Sequence, residues 1–236
     1  MNELRKWKQA TIEAVAGHFS TTWEIGEDPP DAYITIAGQR IAVQLTTLDW
    51  RTVGRGSLTK PHLRFDRVAL GFVRRLQDTL RGAVPDNMMV ILTVTAPIRL
   101  PSKTAAALED KIRNCLARRP AQAEVRDTIL GNQIRVRFVK GSSSCPSKVV
   151  GFVHSEDSNP DVLLDATHSL LECIGAEVGK RAKSGFVGDR WLVVANEDGL
   201  PHIGTYRHMY SQLSIPSDFK KILMVLPGGR VETLRG

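Results

Sequence analysis

The first fifty residues pass from a helical pattern to a series of short extended patterns. Apolar residues recur at helical spacing over residues 3–17, and Gly17 stands where a helix C-terminus favours glycine. Three segments rich in β-branched and aromatic residues follow, separated by the turn-forming stretches DPP and AGQ: Trp23–Glu27, Ala32–Ile36 and Arg40–Leu48. The pattern predicts one helix followed by a three-stranded antiparallel meander.

A second helix and a buried strand are predicted next. Over residues 62–81 the apolar residues fall on one side of a helix and several arginines on the other. The run MMVILTVTAPI is short, continuous and apolar, which is typical of a strand that is buried on both faces. Ser102 then favours the start of another helix, and Arg118 and Arg119 favour its end.

The second half of the chain also mixes strands with helices. The alternation in QIRVRFVK predicts a half-buried strand, and Asn159 followed by Pro160 favours a helix start. The helical pattern then continues to about Lys183. Two further apolar runs, Trp191–Ala195 and Ile222–Leu226, predict buried strands. The predicted fold class is therefore α/β.

Length and composition favour one large domain. At 236 residues and 42% hydrophobic composition, the chain can bury a full core without disulfides or a structural metal. We predict a single elaborated domain over residues 1–236, with two tightly coupled halves as the alternative. No apolar run approaches the roughly 18 residues that a membrane span needs, and the N-terminus lacks the apolar run of a signal peptide. We therefore expect a cytoplasmic protein without a membrane partner.

Cysteine and histidine spacing argues against zinc chemistry. Cys115, Cys145 and Cys173 are widely spaced, and no Cys or His partner lies close to them in sequence. The six histidines show neither HxxxH nor HExxH spacing. We expect the three cysteines to be reduced structural thiols.

Charge favours a polyanionic partner. The formal net charge is +7. The segment from Arg51 to Arg75 contains seven basic residues and one acidic residue, Asp66. The sequence leaves two interpretations of this cluster open, a solvated helix face and a nucleic-acid contact surface. For the second we expect contacts from five of its members: Arg51, Arg55, Lys60, Arg64 and Arg67.

Two polar side chains stand out within the predicted meander. Asp31 begins a strand directly after a proline turn, and Gln44 lies on the following strand, on the same face as Ala42 and Thr46. If Asp31 and Gln44 meet across the hairpin, two oxygen donors converge. Mg²⁺ and Mn²⁺ bind such donors and keep several waters, one of which can attack a phosphodiester.

The stretch from Pro29-Pro30-Asp31 to Gln44-Leu-Thr46 resembles the PD-(D/E)xK nuclease superfamily, in particular its restriction-endonuclease-like members. The resemblance covers mainly residues 10–48. It implies a core in the order helix, three-stranded antiparallel meander, helix, strand over residues 1–98. Residues 99–236 would then form a C-terminal α/β extension of the same sheet.

The resemblance also implies roles for particular residues. Asp31 would be a metal ligand, Gln44 takes the position of the second acid, and Thr46 takes the position of the lysine. Glu13 is the candidate for a further ligand from the first helix. Because Gln44 offers only a neutral oxygen and Thr46 offers no positive charge, a basic group would have to come from elsewhere. The candidates are Lys60, Arg64, Arg67 and Lys180.

Three functions follow as hypotheses. The first is a metal-dependent phosphodiesterase that uses Mg²⁺ or Mn²⁺ and acts on nucleic acid, with DNA favoured over RNA. The second is a catalytically inactive nuclease fold that binds nucleic acid or another protein, with a homodimer as an alternative to the monomer. The third is an α/β protein unrelated to nucleic acid.

Overall fold

A computed structural model describes most of the chain, namely residues 4–27, 29–48, 61–118, 124–141, 147–179, 186–197, 200, 202–215 and 217–236. The chain divides into two compact units. The first unit contains Met1–Arg51, Ser169–Arg207 and Ser217–Gly236. The second unit contains Thr52–His168 and His208–Pro216.

The described residues form five α-helices and ten β-strands. In chain order they are α1 (Lys6–His18), β1 (Trp23–Ile25), β2 (Ala32–Ile36), β3 (Gln39–Thr47), α2 (Arg67–Leu80), β4 (Met88–Thr95), α3 (Pro101–Ala117), β5 (Glu124–Ile129), β6 (Asn132–Lys140), β7 (Val149–His154), α4 (Pro160–Gly179), β8 (Arg190–Ala195), α5 (Ile203–Leu213), β9 (Lys221–Leu226) and β10 (Arg230–Arg235).

The first unit is built on a six-stranded mixed sheet in the order β1-β2-β3-β8-β9-β10. The meander β1-β2-β3 is antiparallel, β8 and β9 continue the sheet parallel to β3, and β10 is antiparallel to β9. Helix α1 packs on one face, where Ile12 and Val15 join a buried cluster with Val43, Val193 and Leu223. The apolar side of α1 thus packs against every second residue of β3. These residues lie on one face of the sheet because successive side chains of a strand point to opposite faces.

The second unit contains a four-stranded sheet in the order β5-β6-β4-β7. Strand β4 is central, antiparallel to β6 and parallel to β7. Helices α2 and α3 share one core with this sheet, to which α2 contributes Phe72, Leu76 and Leu80 and α3 contributes Leu108 and Ile112. Burial of these side chains is the main favourable term for this unit.

Local signals explain where two of the helices begin. Asp66 precedes α2, and its carboxylate accepts hydrogen bonds from the backbone N–H groups of Val68 and Ala69, each at 3.1 Å. Helix α4 begins at Pro160, and the Asn159 side chain accepts a hydrogen bond from Asp161 N at 3.0 Å. The predicted start of α4 is confirmed, whereas residues 180–183 at its predicted end lie outside the described part of the chain.

The element order predicted for the first 98 residues is confirmed, but the predicted sheet is wrong. Strand β4 does not extend the sheet of β1-β2-β3, because the edge of β3 pairs with β8 and β4 pairs with β6 and β7. The predicted core over 1–98 is therefore divided, with α2 and β4 in the second unit. Apolar periodicity identifies a buried strand but not its partner. The single domain count over 1–236 stays a prediction.

Two further findings bear on the expected class of protein. None of the helices in the described residues combines the length and apolar character needed to cross a bilayer. Within the described residues, Cys115 and Cys173 do not take part in a disulfide, and Cys145 lies outside that part of the chain.

Candidate functional site

Asp31 lies immediately before β2 in the first unit and is only 5% exposed. One carboxylate oxygen accepts a hydrogen bond from the backbone N–H of Leu45 at 2.7 Å. The other oxygen forms an ion pair with Lys8 Nζ on helix α1. The negative charge that was predicted to hold a metal ion is therefore neutralised by a cation of the chain itself.

Lys8 reaches Asp31 because of its position on α1. The buried residues of the helix include Thr11, Ile12 and Val15, which follow Lys8 at spacings of three, four and seven. Lys8 therefore belongs to the helix stripe that faces the sheet. Its side chain is 19% exposed, so the stem is covered while the ammonium group lies at the carboxylate.

Gln44 is held at both ends of its amide. It lies on β3 and is 3% exposed. Its Nε2 donates a hydrogen bond to Glu177 Oε2 on α4 at 2.9 Å, and its Oε1 accepts one from the Arg190 guanidinium at 2.7 Å. Gln44 thus bridges a buried carboxylate and a cation, a role that a neutral amide with one donor end and one acceptor end can fill.

Asp31 and Gln44 stand on neighbouring strands, as predicted. Ala32 pairs with Val43 in the antiparallel β2–β3 ladder. Asp31 and Gln44 are therefore opposite each other at the next position along the two strands. Their side chains, however, have different partners, since Asp31 bonds to Lys8 and Leu45. Gln44 bonds to Glu177 and Arg190.

This donor set does not fit a preformed site for Mg²⁺ or Mn²⁺. A hard divalent cation needs several unoccupied oxygen ligands, and a carboxylate is the strongest of them. The Asp31 carboxylate is paired with an ammonium group, and the Gln44 oxygen accepts from a guanidinium group. Among the residues that the structure describes, no group of three His, Cys, Asp or Glu side chains is arranged to hold a metal ion.

The other two predicted site residues lie apart from these contacts. Glu13 is exposed on α1, where its carboxylate accepts a hydrogen bond from Gln9 at 2.9 Å, so the structure does not bring it to Asp31. Thr46 is half-buried, and its hydroxyl oxygen lies 3.5 Å from Cys173 Sγ. Thr46 carries no charge and lies beside α4.

The predicted nucleic-acid contacts are only partly described. Arg51, Arg55 and Lys60 lie outside the described residues. Arg64 and Arg67 belong to the second unit, are exposed, and have no carboxylate partner within the described part of the chain. The same holds for three more arginines of α2 and its C-terminal end: Arg74, Arg75 and Arg81.

The two arginines of β6 differ from this set because they are paired. Arg137 donates to Glu124 at 2.9 and 3.2 Å and forms an ion pair with Asp165, while Arg135 pairs with Asp161. Burial pushes the pKa of Glu124 upward, but the hydrogen bonds from Arg137 and Arg126 outweigh it and lower that pKa below its usual value. The charges of these two arginines are therefore neutralised within the unit.

Three members of the candidate site were not anticipated from the sequence: Lys8, Glu177 and Arg190. For two of them, the position on a predicted helix could have indicated a role. Lys8 falls on the apolar stripe of α1, and Glu177 follows the buried residues Leu170, Cys173 and Ile174 at helical spacing. A charged residue on a buried helix stripe indicates a buried partner.

In comparisons with known proteins, no family model, no curated protein and no solved structure matches this chain.

Proposed function

We propose that this chain is a nucleic-acid-binding protein built on a restriction-endonuclease-like core, in which an ion pair and two hydrogen bonds close the position of the catalytic metal. The observation that carries the proposal is the pairing of Asp31 with Lys8 beside the pairing of Gln44 with Arg190 and Glu177. These contacts satisfy the oxygens that a metal-dependent nuclease leaves open for its ion.

The connectivity of the first unit supports the nuclease-type core. Helix α1 and the antiparallel meander β1-β2-β3 are followed, after most of the second unit, by the C-terminal part of α4 and by β8. Strand β8 pairs with β3 and so joins the same sheet. In chain order, the first unit therefore contains a helix, three strands, a second helix and a fourth strand of that sheet. In this interpretation, most of the second unit is inserted into the nuclease-type core. The second helix and the fourth strand of that core are then α4 and β8, and not α2 and β4 as the sequence pattern suggested.

Nucleic-acid binding is supported by the charge of the second unit. Five exposed arginines on and beside α2 have no carboxylate partner among the described residues: Arg64, Arg67, Arg74, Arg75 and Arg81. An exposed guanidinium that is not already paired with a carboxylate is available for bidentate contact with phosphate oxygens. Such contacts supply affinity but little sequence preference.

Metal-dependent phosphodiester hydrolysis, with Mg²⁺ or Mn²⁺, is the second candidate function, and one observation favours it. Glu177 places a buried carboxylate 2.9 Å from the Gln44 amide, which partly makes up for the acid that Gln44 replaces. A divalent ion at Asp31 would still have to displace Lys8 from the carboxylate. Binding without hydrolysis therefore agrees better with the contacts.

Salt dependence tests the binding function. We expect labelled DNA to bind with an affinity that falls with salt, at a log-log slope of roughly −0.9 for each B-DNA phosphate contact. Replacing Arg64 and Arg67 by glutamate should weaken binding and flatten the slope, because phosphate contacts are lost. Fluorescence anisotropy at several salt concentrations measures both quantities.

The matched control reverses two exposed cations in the same unit, Lys103 on α3 and Arg118 directly after it. Both double variants change the net charge by the same amount, so a general charge effect would weaken them equally. Binding that ignores salt, or an equal loss in the two variants, would speak against contacts from the α2 arginines.

A further inference from the structure

A groove lined by polar and apolar side chains runs along the β7 edge of the four-stranded sheet in the second unit. It consists of two adjoining cavities of about 130 and 400 Å³, and Gln77 and Gln212 line both. Arg64 and Arg74 lie at the smaller cavity, while Arg81 and Lys148 lie at the larger one. The walls come from α2 and from the C-terminal turns of α5.

Backbone hydrogen-bonding groups along the edge of β7 are already bonded to residues that line the groove. The Gln212 amide accepts from Gly151 N at 3.0 Å and donates to Gly151 O at 2.9 Å, as a neighbouring strand would. Gln77 donates to Val149 O at 3.2 Å, and the backbone N–H of Arg64 donates to Val153 O at 2.8 Å. A peptide therefore cannot add to this edge as a further strand.

The groove carries positive charge. Arg64, Arg74 and Arg81 have no carboxylate partner among the described residues, and Asp78 is the one acid among the described residues that line the two cavities. Lys148 is paired with Asp86, whose side chain is 97% exposed, so this pair is open to solvent and to competition by another anion. A polyanion is the ligand that this charge favours.

An exposed aromatic side chain lies beside the smaller cavity. Phe65 is 54% exposed and packs against the His208 ring in a T-shaped contact, with 4.7 Å between ring centroids. Burial lowers the pKa of His208 below its usual value. Because Gly151 fixes the orientation of the Gln212 amide, Gln212 Nε2 is the donor to His208 Nε2 at 3.0 Å. The ring that supports Phe65 is therefore neutral at physiological pH.

We propose that this groove binds an extended single strand of nucleic acid, with its arginines on the phosphates and Phe65 as a stacking surface for a base. The inference rests on the proposed nucleic-acid-binding function and adds the site and the strandedness of the ligand. Binding sites for single strands combine a positively charged groove with exposed aromatic rings, and both are present here.

The shape of the site favours a single strand over a duplex. The site is concave, and its two cavities are lined by charged, amide and hydroxyl groups together with apolar residues such as Leu70, Val73 and Val153. Unpaired bases of a single strand can enter such cavities and stack on an exposed aromatic ring. The bases of a duplex are already paired and stacked inside the double helix, so a duplex can use only the charge of the site.

Binding of labelled dT12, rU12 and a 12-base-pair duplex to the full chain in low salt tests the inference. We expect the single strands to bind more tightly than the duplex. Replacing Arg74 and Arg81 by glutamate should weaken single-strand binding by about tenfold or more, since two phosphate contacts become repulsive. The matched Lys103→Glu/Arg118→Glu variant, on α3 and at its C-terminal end, should lose much less.

A second variant tests stacking. Phe65→Ala should weaken single-strand binding by about tenfold, and Phe65→Tyr should retain it, because base stacking needs the ring and not the phenylalanine itself. Phe65 is exposed, so a thermal melt should show that both variants are folded.

The possible failures can be told apart. If no oligonucleotide binds even in low salt, the proposed function itself is wrong. If oligonucleotides bind but the duplex is preferred, or the α2 and α3 variants lose affinity equally, the groove inference is overturned and nucleic-acid binding stands. If Phe65→Ala binds like the wild type, the stacking contact is wrong.

Discussion

Gln44→Glu is expected to lower the free energy of unfolding by about 2–3 kcal/mol at neutral pH, because the repulsion between two buried carboxylates and the lost hydrogen bond to Glu177 outweigh the ion pair that the new carboxylate gains with Arg190. The wild-type amide donates to Glu177, which is 4% exposed, and a glutamate side chain has no donor for that bond. Chemical denaturation measures the loss. Stability should recover partly in mild acid, since two close carboxylates disfavour double ionisation and can share a proton.

A matched swap separates this charge effect from simple repacking. In the double variant Gln44→Glu/Glu177→Gln, the amide and the carboxylate exchange places and the donor is restored. We expect most of the lost stability to return. If the swap is as unstable as Gln44→Glu alone, the bridge from Gln44 to Glu177 is not what holds the site.

Manganese should act on Gln44→Glu more than on the wild type. A second carboxylate adds charge at the position of Gln44, so Mn²⁺ should raise the melting temperature of this variant by binding its folded form. The wild type and the swap variant should respond little. An equal response in all three proteins would mean that the ion binds elsewhere.

Lys8→Met is expected to lower the free energy of unfolding by about 2–3 kcal/mol, because it leaves a buried carboxylate without its cation. Among the described residues, the Leu45 N–H alone would remain as a partner of the Asp31 carboxylate. Lys6→Met is the matched control, since Lys6 lies on the same helix but is exposed and has no acidic partner among the described residues. It should change stability little.

A double-mutant cycle isolates the pair itself. Asp31→Asn alone should also destabilise, whereas Lys8→Met/Asp31→Asn should lose less than the two single losses combined. Additive losses, or a Lys8→Met variant as stable as Lys6→Met, would mean that the ion pair does not contribute as the buried contact suggests.

The local structure of the N-terminal half was predictable, but its long-range pairing was not. Turn residues and alternation identified the meander, and helical spacing identified α1 and α2. Strand β5, with the sequence EVRDTI, has too few apolar residues to show a clear alternation. Strand β8 joins β3 across more than a hundred residues, and no local pattern specifies such a partner.

In the candidate site, too, local contacts could be predicted from the sequence and long-range contacts could not. Asp31 and Gln44 could be paired from the sequence because a hairpin brings them together within 13 positions. Glu177 and Arg190 bond to Gln44 from 133 and 146 positions away, and their roles depend on the sheet order. Lys8 was within reach of sequence analysis, since its place on the α1 stripe predicts a buried partner.

Incubation of plasmid DNA and a labelled single strand with the purified chain, in Mn²⁺ and in EDTA, tests most directly whether the core binds nucleic acid without hydrolysing it. The wild type should bind the single strand equally well in both conditions and leave both substrates intact, as should Asp31→Asn. Cleavage that requires Mn²⁺ and disappears in Asp31→Asn would contradict a metal site closed by Lys8 and Arg190, and would establish the phosphodiesterase instead.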